Sequence, residues 1–225
     1  ALSTLLFTSR FTILMSLNES YETYNFRQVG GYSDGTFKEL SEEQVEKIAA
    51  HPGIREAGER ITCGFNTTGV FGKVPAEVSY MDKNCTKWSY ATPTTGREPE
   101  KSNEIAMDTV ALKLLGVTPE LGAKVTIEYQ AGDKTNEGFQ ETDTFILSGY
   151  WEYDDLMPVH YINVSKDYVK SLEEKWMASG EKAFRRDLNV MLPSKLNIEQ
   201  QMQKIDTDLG YDWNTRDQEN SARLG

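Results

Sequence analysis

Asn103–Ile127 reads NEIAMDTVALKLLGVTPELGAKVTI, and its periodicity changes twice along the way. Glu104–Met107 is a short apolar strand. Asp108 follows as a helix N-cap, a position where a side-chain oxygen can accept a backbone N–H from the first turn. Thr109–Leu115 is then a short helix, and Gly116 ends it, because glycine tolerates the left-handed conformation that closes many helices. From Lys124 a period of two takes over. Val125, Ile127 and Tyr129 share one face, and Lys124, Thr126 and Glu128 share the other, the pattern of a half-buried strand. A polar loop over Gln130–Glu141 leads to another strand, Thr142–Tyr153. The middle of the chain is therefore strand-rich, with one short helix.

Outward toward the N-terminus, Asn25–Leu40 predicts a strand or hairpin around Gly30-Gly31 and the Asp34-Gly35 turn. Ser41-Glu-Glu-Gln44 matches a capping box, in which Ser41 and Gln44 satisfy each other's backbone donors. The helix runs to Ala50 with Val45, Ile48 and Ala49 on one face, and His51-Pro52-Gly53 stops it. A strand over Ile54–Phe65 completes a β-α-β unit. Another strand, with Val74, Ala76, Val78 and Tyr80 alternating, has Pro75 at its start or at a sheet edge. Thr92–Asn103 is polar and rich in Pro, Thr and Gly, and reads as a loop.

Toward the C-terminus, His160–Val164 is a strand and Ser165 an N-cap. Tyr168, Val169, Leu172 and Trp176 form a helical stripe that Gly180 closes. Phe184–Leu192 is a strand. Pro193-Ser194 introduces a helix bearing Ile198, Met202, Ile205 and Leu209, which Gly210 ends. The pattern is α+β, with two β-α-β runs flanking the strand-rich centre.

Composition narrows the functions. Of 225 residues, 35 are acidic and 24 are Lys or Arg, for a formal charge of −11. A nucleic-acid binder needs a basic stripe to displace phosphate counterions, and none is visible. Residues 1–17, ALSTLLFTSRFTILMSL, are mostly apolar and give way to NESYETYNFRQ. They read as the outer end of a first transmembrane helix; an amphipathic or buried helix is the alternative that Arg10 favours. Cys63 and Cys85 are either two isolated core thiols or a disulfide, which in an oxidising compartment would stabilise by roughly 3 kcal/mol.

No catalytic constellation emerges. His51 and His160 are the only histidines. No G-x-S-x-G elbow presents a serine, and no His/Cys set has zinc-ligand spacing. His160, in a strand beside aromatic residues, reads as a structural histidine. His51, at a helix end, reads as a partner of the helix dipole. Asp154-Asp155 reads as a solvated turn. Four N-x-S/T sequons occur, at Asn18, Asn66, Asn84 and Asn163, and Asn163 falls within a strand. Catalytic residues, metal ligands and cofactor-binding residues are therefore all read as none.

The order of motifs resembles a known family. Asn103–Gly116 followed by Leu121-Gly-Ala-Lys-Val-Thr-Ile127 is similar to the "E-I-x-hydrophobic, short helix, L-G, then L-G-x-x-V-x-I" series of the MacB-like extracytoplasmic domain (periplasmic core domain) of FtsX/MacB-family ABC transporter permeases. Phe145-Ile-Leu-Ser-Gly149 resembles their "f-x-V-x-G" strand, and Tyr161-Ile-Asn-Val-Ser165 their "v-Y-V-S" lead-in to a helix. Ile205-Asp-Thr-Asp-Leu-Gly-Tyr211 resembles the approach to the second transmembrane helix. The resemblance spans about residues 1–212, with Arg10 a departure inside the expected membrane segment.

What the resemblance implies is an α+β fold with two β-α-β porter-like lobes, over 21–92 and 155–212. A sabre-like subdomain over 93–154 is inserted between them, a membrane remnant lies at 1–20, and a polar tail at 213–225. It further implies a bacterial, membrane-anchored domain on the extracytoplasmic side of the cell membrane, without cofactor or enzymatic activity. Its partners would be a cytoplasmic ABC ATPase subunit and a second permease copy or half, with no nucleic acid. The domain would couple ATP hydrolysis to the export or handling of a substrate outside the membrane. Tyr150, Trp151 and Tyr153 form a candidate contact patch, with core packing as the alternative. Rival readings are a membrane-tethered ligand-sensing or adhesion module and a secreted hydrolase using paired carboxylates.

Overall fold

The computed structural model describes residues 31–132, 140–213 and 221–222. The segment read as a membrane remnant, the Asn18 sequon and most of the polar tail lie outside the described residues. Parallel and antiparallel strands form one mixed sheet with helices packed against it, so the fold is α+β, as the sequence predicts.

Within the strand or hairpin expected over 25–40, residues 25–30 lie outside the described residues, and the described part forms β1 (Gly35–Phe37). Helix α1 (Glu42–Ala49) starts at Ser41, with both hydrogen bonds of the capping box formed. Strand β2 (Glu56–Asn66) leads through a 3-10 turn at Gly69–Phe71 to β3 (Ala76–Met81). Sequence periodicity gives no sign of the next helix, α2 (Lys83–Trp88), which is too short to show one. It forms because Asp82 caps it, accepting from Cys85 N at 2.9 Å, and because Cys85 and Trp88 are buried beneath it.

The loop expected over 92–103 contains a two-residue strand, β4 (Thr95–Gly96). Strand β5 (Glu104–Asp108) and helix α3 (Thr109–Leu114) follow, with Asp108 capping α3 through Ala111 N at 2.7 Å. Next come β6 (Lys124–Ala131), β7 (Gln140–Trp151) and β8 (His160–Val164). Helix α4 (Lys166–Ala178), capped by Ser165, precedes β9 (Arg185–Met191). Helix α5 (Ile198–Asp208) begins four residues after Ser194, preceded by its cap Asn197, whose left-handed backbone turns the chain into it. Ser221–Ala222 forms β10 against β1.

The sheet runs β10-β1-β9-β2-β3-β8-β5-β7-β4, and β6 pairs with both β2 and β7. The pairings β2-β3-β8-β5-β7-β6 therefore return to their starting strand. The ring closes through two register pairs, Gly64 with Ala131 and Phe65 with Gln130. β2 accommodates this with an irregularity between Thr62 and Gly64, which adds local twist.

Strand alternation sorts the core. Ile61, Val78, Ile105, Val125, Ile127, Phe145 and Ile162 pack with Leu112 of α3 and with Val169, Leu172 and Trp176 of α4. A second cluster joins the chain's ends: Phe37, Val45, Ile48, Leu188, Val190, Ile198, Met202 and Ile205. A smaller third cluster holds Met81, Cys85, Ala106, Trp151, Met157 and Tyr161. Each fully buried Leu, Ile or Phe contributes about 1.5–3 kcal/mol relative to an exposed one, so the first two clusters dominate the stability.

The ring closure has a strict steric requirement. A Cβ at Gly64 would lie 2.1 Å from the Gln130 carbonyl oxygen and 2.9 Å from Ala131 Cα, both backbone atoms that cannot turn aside. Gly64→Ala is therefore expected to lower the urea midpoint by more than Ser41→Ala, which removes one cap at a cost of about 1 kcal/mol. Equal midpoints for the two variants would show that the ring does not depend on this contact.

Candidate interaction surface

The alternation that sends Ile61 and Val78 into the largest cluster sends Arg60, Glu77 and Ser79 to the opposite face of the sheet. Glu77 is almost fully buried there and satisfied from two sides. It pairs with the Arg60 guanidinium and accepts from Ser79 Oγ at 2.7 Å. Arg60 also sits over the Tyr161 ring, 5.6 Å from its centroid. Burial opposes charge on Arg60, but Glu77 acting together with Tyr161, Cys85 and Asp187 outweighs it and raises the guanidinium pKa above its ordinary value.

The polar character continues across β9. Arg185 Nε donates to both oxygens of Asp187 at 3.1 Å, and Asp187 Oδ1 accepts from Glu39 N at 3.2 Å. Asn189 Oδ1 accepts from Thr36 Oγ1 at 2.7 Å, and its Nδ2 donates to Cys85 Sγ at 3.4 Å. A cleft opens along the N-terminal end of β9, with Phe65, Arg60, Glu77, Trp176, Lys182 and Arg185 among its lining residues. It places both signs of charge beside three aromatic rings, those of Phe65, Trp176 and Phe184.

Behind this cleft a buried ion pair ties α4 to β9. Arg186 Nη1 and Nη2 donate to Glu173 at 2.6 and 2.7 Å, and Phe184 N donates to the same carboxylate at 2.8 Å. Burial raises the Glu173 pKa, but the hydrogen bonds from Arg186 and Phe184 more than offset it and hold the carboxyl below its usual 4.5.

The structure places the sequence-predicted residues as follows. Tyr150, Trp151 and Tyr153 do not form an exposed contact patch. Trp151 is buried in the third cluster, Tyr150 packs on the largest one, and Tyr153 packs against His160 at 4.4 Å between ring centroids. Consecutive strand residues face opposite sides of a sheet, and this separates Tyr150 from Trp151. Cys63 and Cys85 are both free and buried, in different clusters. Burial pushes the Cys85 thiol up to about 12 and Cys63 higher still, so neither is a thiolate nucleophile near neutral pH.

His160 lies in the core, with Nδ1 2.7 Å from Asp108 Oδ2 and both side chains 2% exposed. Because Asp108 also caps α3, this pair fixes the end of β5, the start of α3 and the start of β8 together. His51 does not serve the dipole of its own helix. Its Nδ1 accepts from Gly53 N at 2.8 Å, which leaves Nε2 to donate to Asp208 of α5 at 2.9 Å. Asp154 Oδ1 accepts from Leu156 N in a turn, and Asn163 is buried in β8, where a glycan would not fit. Among the described residues no three His, Cys, Asp or Glu side chains group to hold a metal ion, and no helix is long and apolar enough to cross a membrane.

The cleft's charges were invisible to sequence motifs because its residues are spread over β2, β3 and β9. The one available signal was a charged residue at an inward strand position, as at Arg60 and Glu77. Glu173→Gln is expected to lower stability at pH 7 by about 2–3 kcal/mol, since it leaves the buried Arg186 with only the longer, exposed contact to Glu42 at 3.6 Å. A carboxylate with a depressed pKa stabilises above its unfolded value and loses that contribution as pH falls through the folded one. The gap between wild type and variant in urea unfolding should therefore narrow below about pH 4.5. A gap that stays constant down to pH 3 would show that the carboxylate charge contributes nothing.

No protein-family model matches the chain, and no curated protein matches it. Solved structures do resemble it. The extracellular domain of the noncanonic ABC-type transporter YknZ from Gram-positive bacteria is 12% identical, with a TM-score of 0.47, over 80% of this chain and 96% of that one. The periplasmic region of MacB from Actinobacillus actinomycetemcomitans is 12% identical, with a TM-score of 0.45, over 83% of this chain and 88% of that one.

Proposed function

We propose that this chain is the extracytoplasmic domain of a MacB/FtsX-type ABC transporter permease. In this reading the domain is anchored in the cell membrane. It couples ATP hydrolysis by a separate cytoplasmic ABC ATPase to the export or handling of a substrate outside the membrane, and contributes no catalytic residues of its own.

The observation that carries the reading is the order of the motifs along the chain and the elements they occupy. Glu104-Ile105 opens β5, Asp108 caps α3, and Leu115-Gly116 ends it. Leu121-Gly122 then leads into Val125 and Ile127 of β6. Phe145–Gly149 lies in β7, and Tyr161–Ser165 runs through β8 into the cap of α4. Any one of these is common; five in one order, at the family's spacing, are not. The domain scheme carries over as part of the proposal, with porter-like lobes at 21–92 and 155–212 and a sabre-like insert at 93–154. The mixed-charge cleft beside β9 is the surface offered to a partner, since both signs of charge and three aromatic rings suit a polar protein surface better than a small apolar ligand.

The test is purification of the full-length protein from its native membrane, followed by mass spectrometry of the proteins that accompany it. An ABC ATPase subunit that hydrolyses ATP in the complex is the expected result. A protein that leaves the membrane without any ATPase and retains a small ligand or a cell-wall component would replace this reading with a sensing or adhesion module.

A further inference from the structure

The cleft beside β9 holds more hydrogen-bond donors than its own acceptors use. Its two inner carboxylates are already engaged. Glu77 pairs with Arg60 through one oxygen and accepts from Ser79 through the other. Asp187 accepts Arg185 Nε at both oxygens and the Glu39 amide at one of them. Glu181, another acid in the lining, lies exposed at the rim.

The donors are not used up. Among the described residues, the Arg60 side chain makes one hydrogen bond, through Nη2, and its Nε is buried with no acceptor. A buried donor without an acceptor is costly and uncommon in folded proteins. Arg185 bonds only through Nε, which leaves its two terminal nitrogens open. Lys182, exposed in the same lining, has no described partner. The two arginines share one face of neighbouring strands. Arg60 stands opposite Asp187 and Arg185 opposite Thr62, so the pair are diagonal neighbours, about 7–8 Å apart at the backbone and within reach of each other's side chains. They are near enough to repel each other, and an anion between them would relieve that repulsion.

We propose that this cleft takes a carboxylate side chain from an acidic segment of a partner protein, with Arg60 and Arg185 flanking it and Lys182 approaching from the rim. A guanidinium presents paired donors that match a carboxylate, so the terminal nitrogens of Arg185 can meet both oxygens at once. Phe65 in the same lining supplies apolar contact for the methylene stem or for a neighbouring residue of the segment. The cleft is open and measures about 1010 Å³, more room than a small free acid fills, which favours a polypeptide as its carrier. The chain carries a formal charge of −11 and repels an acidic partner at long range, but physiological salt screens that repulsion beyond about 8 Å. Recognition therefore depends on contacts inside the cleft. The inference rests on the reading of the cleft as a partner surface, and adds the chemistry of the partner.

The test is an NMR titration of the full 225-residue chain with an acetylated, amidated Gly-Glu-Phe-Glu-Gly peptide. A Kd at or below about 1 mM is expected, with the peptide carrying Gln in place of both Glu binding about tenfold more weakly. Arg185→Gln and Lys182→Gln should each weaken binding of the Glu peptide about fivefold. Lys195→Gln, at an exposed position elsewhere on the surface, should leave it unchanged. Lys182 has no described contact to lose, so its variant serves if the arginine variant fails to fold. Equal binding of the Glu and Gln peptides, tighter binding of the corresponding Lys peptide, or no binding up to about 5 mM would each overturn the proposal. So would a loss in Lys195→Gln as large as that in Lys182→Gln. An ABC ATPase that co-purifies with the full-length protein while the peptide fails to bind would overturn this inference alone and leave the transporter reading in place.

Discussion

Strand β2 is the constraint on which this architecture depends. Its first half pairs with β9 through Thr62, and from Gly64 the same side of the strand is taken over by β6, while β3 occupies the other side. One strand thus joins the C-terminal part of the chain, the N-terminal part and the central hairpin. The irregularity between Thr62 and Gly64 marks the change of partner, and the missing Cβ at Gly64 lets the Gln130 carbonyl approach. Without that exchange of neighbours the ring could not close, and α4 would lose the hairpin that packs against it.

The two faces of the sheet have opposite chemistry. One carries the two large apolar clusters and most of the helices, and supplies the bulk of the driving force for folding. The other carries Arg60, Glu77, Asp187 and Asn189, with only the short α2 and flanking loops against them. Buried charges of this kind add little net stability, because desolvation opposes their attraction. Their value lies in defining a surface: each guanidinium is held in one direction by a carboxylate, so the cleft beside β9 has a fixed pattern of charge.

Much of the local structure was legible in the sequence because it rests on short-range physics. The capping box at Ser41–Gln44, the caps at Asp108 and Ser165, and the alternation in β6 each involve residues within one turn or one strand of each other. Their hydrogen bonds and burial periods are therefore written in consecutive letters. The exceptions are equally physical. Helix α2 is only six residues long, too short for a periodic signal, and needs burial of Trp88 to persist. The ring of His51 bonds Asp208, more than 150 positions away, and no local rule names that partner.

The sequence by itself determined the α+β class, most helix starts and strand positions, and the ordered motifs that resemble a permease domain. Tertiary structure alone decided the closed ring of strands, the burial of Trp151 and its separation from Tyr150, the separation of the two cysteines, and the cleft of paired charges. The reason is range. Propensity, capping and periodicity act over a few residues, whereas ring closure, ion pairing and burial depend on which distant segments become neighbours. That choice is made by the packing of the whole chain around β2.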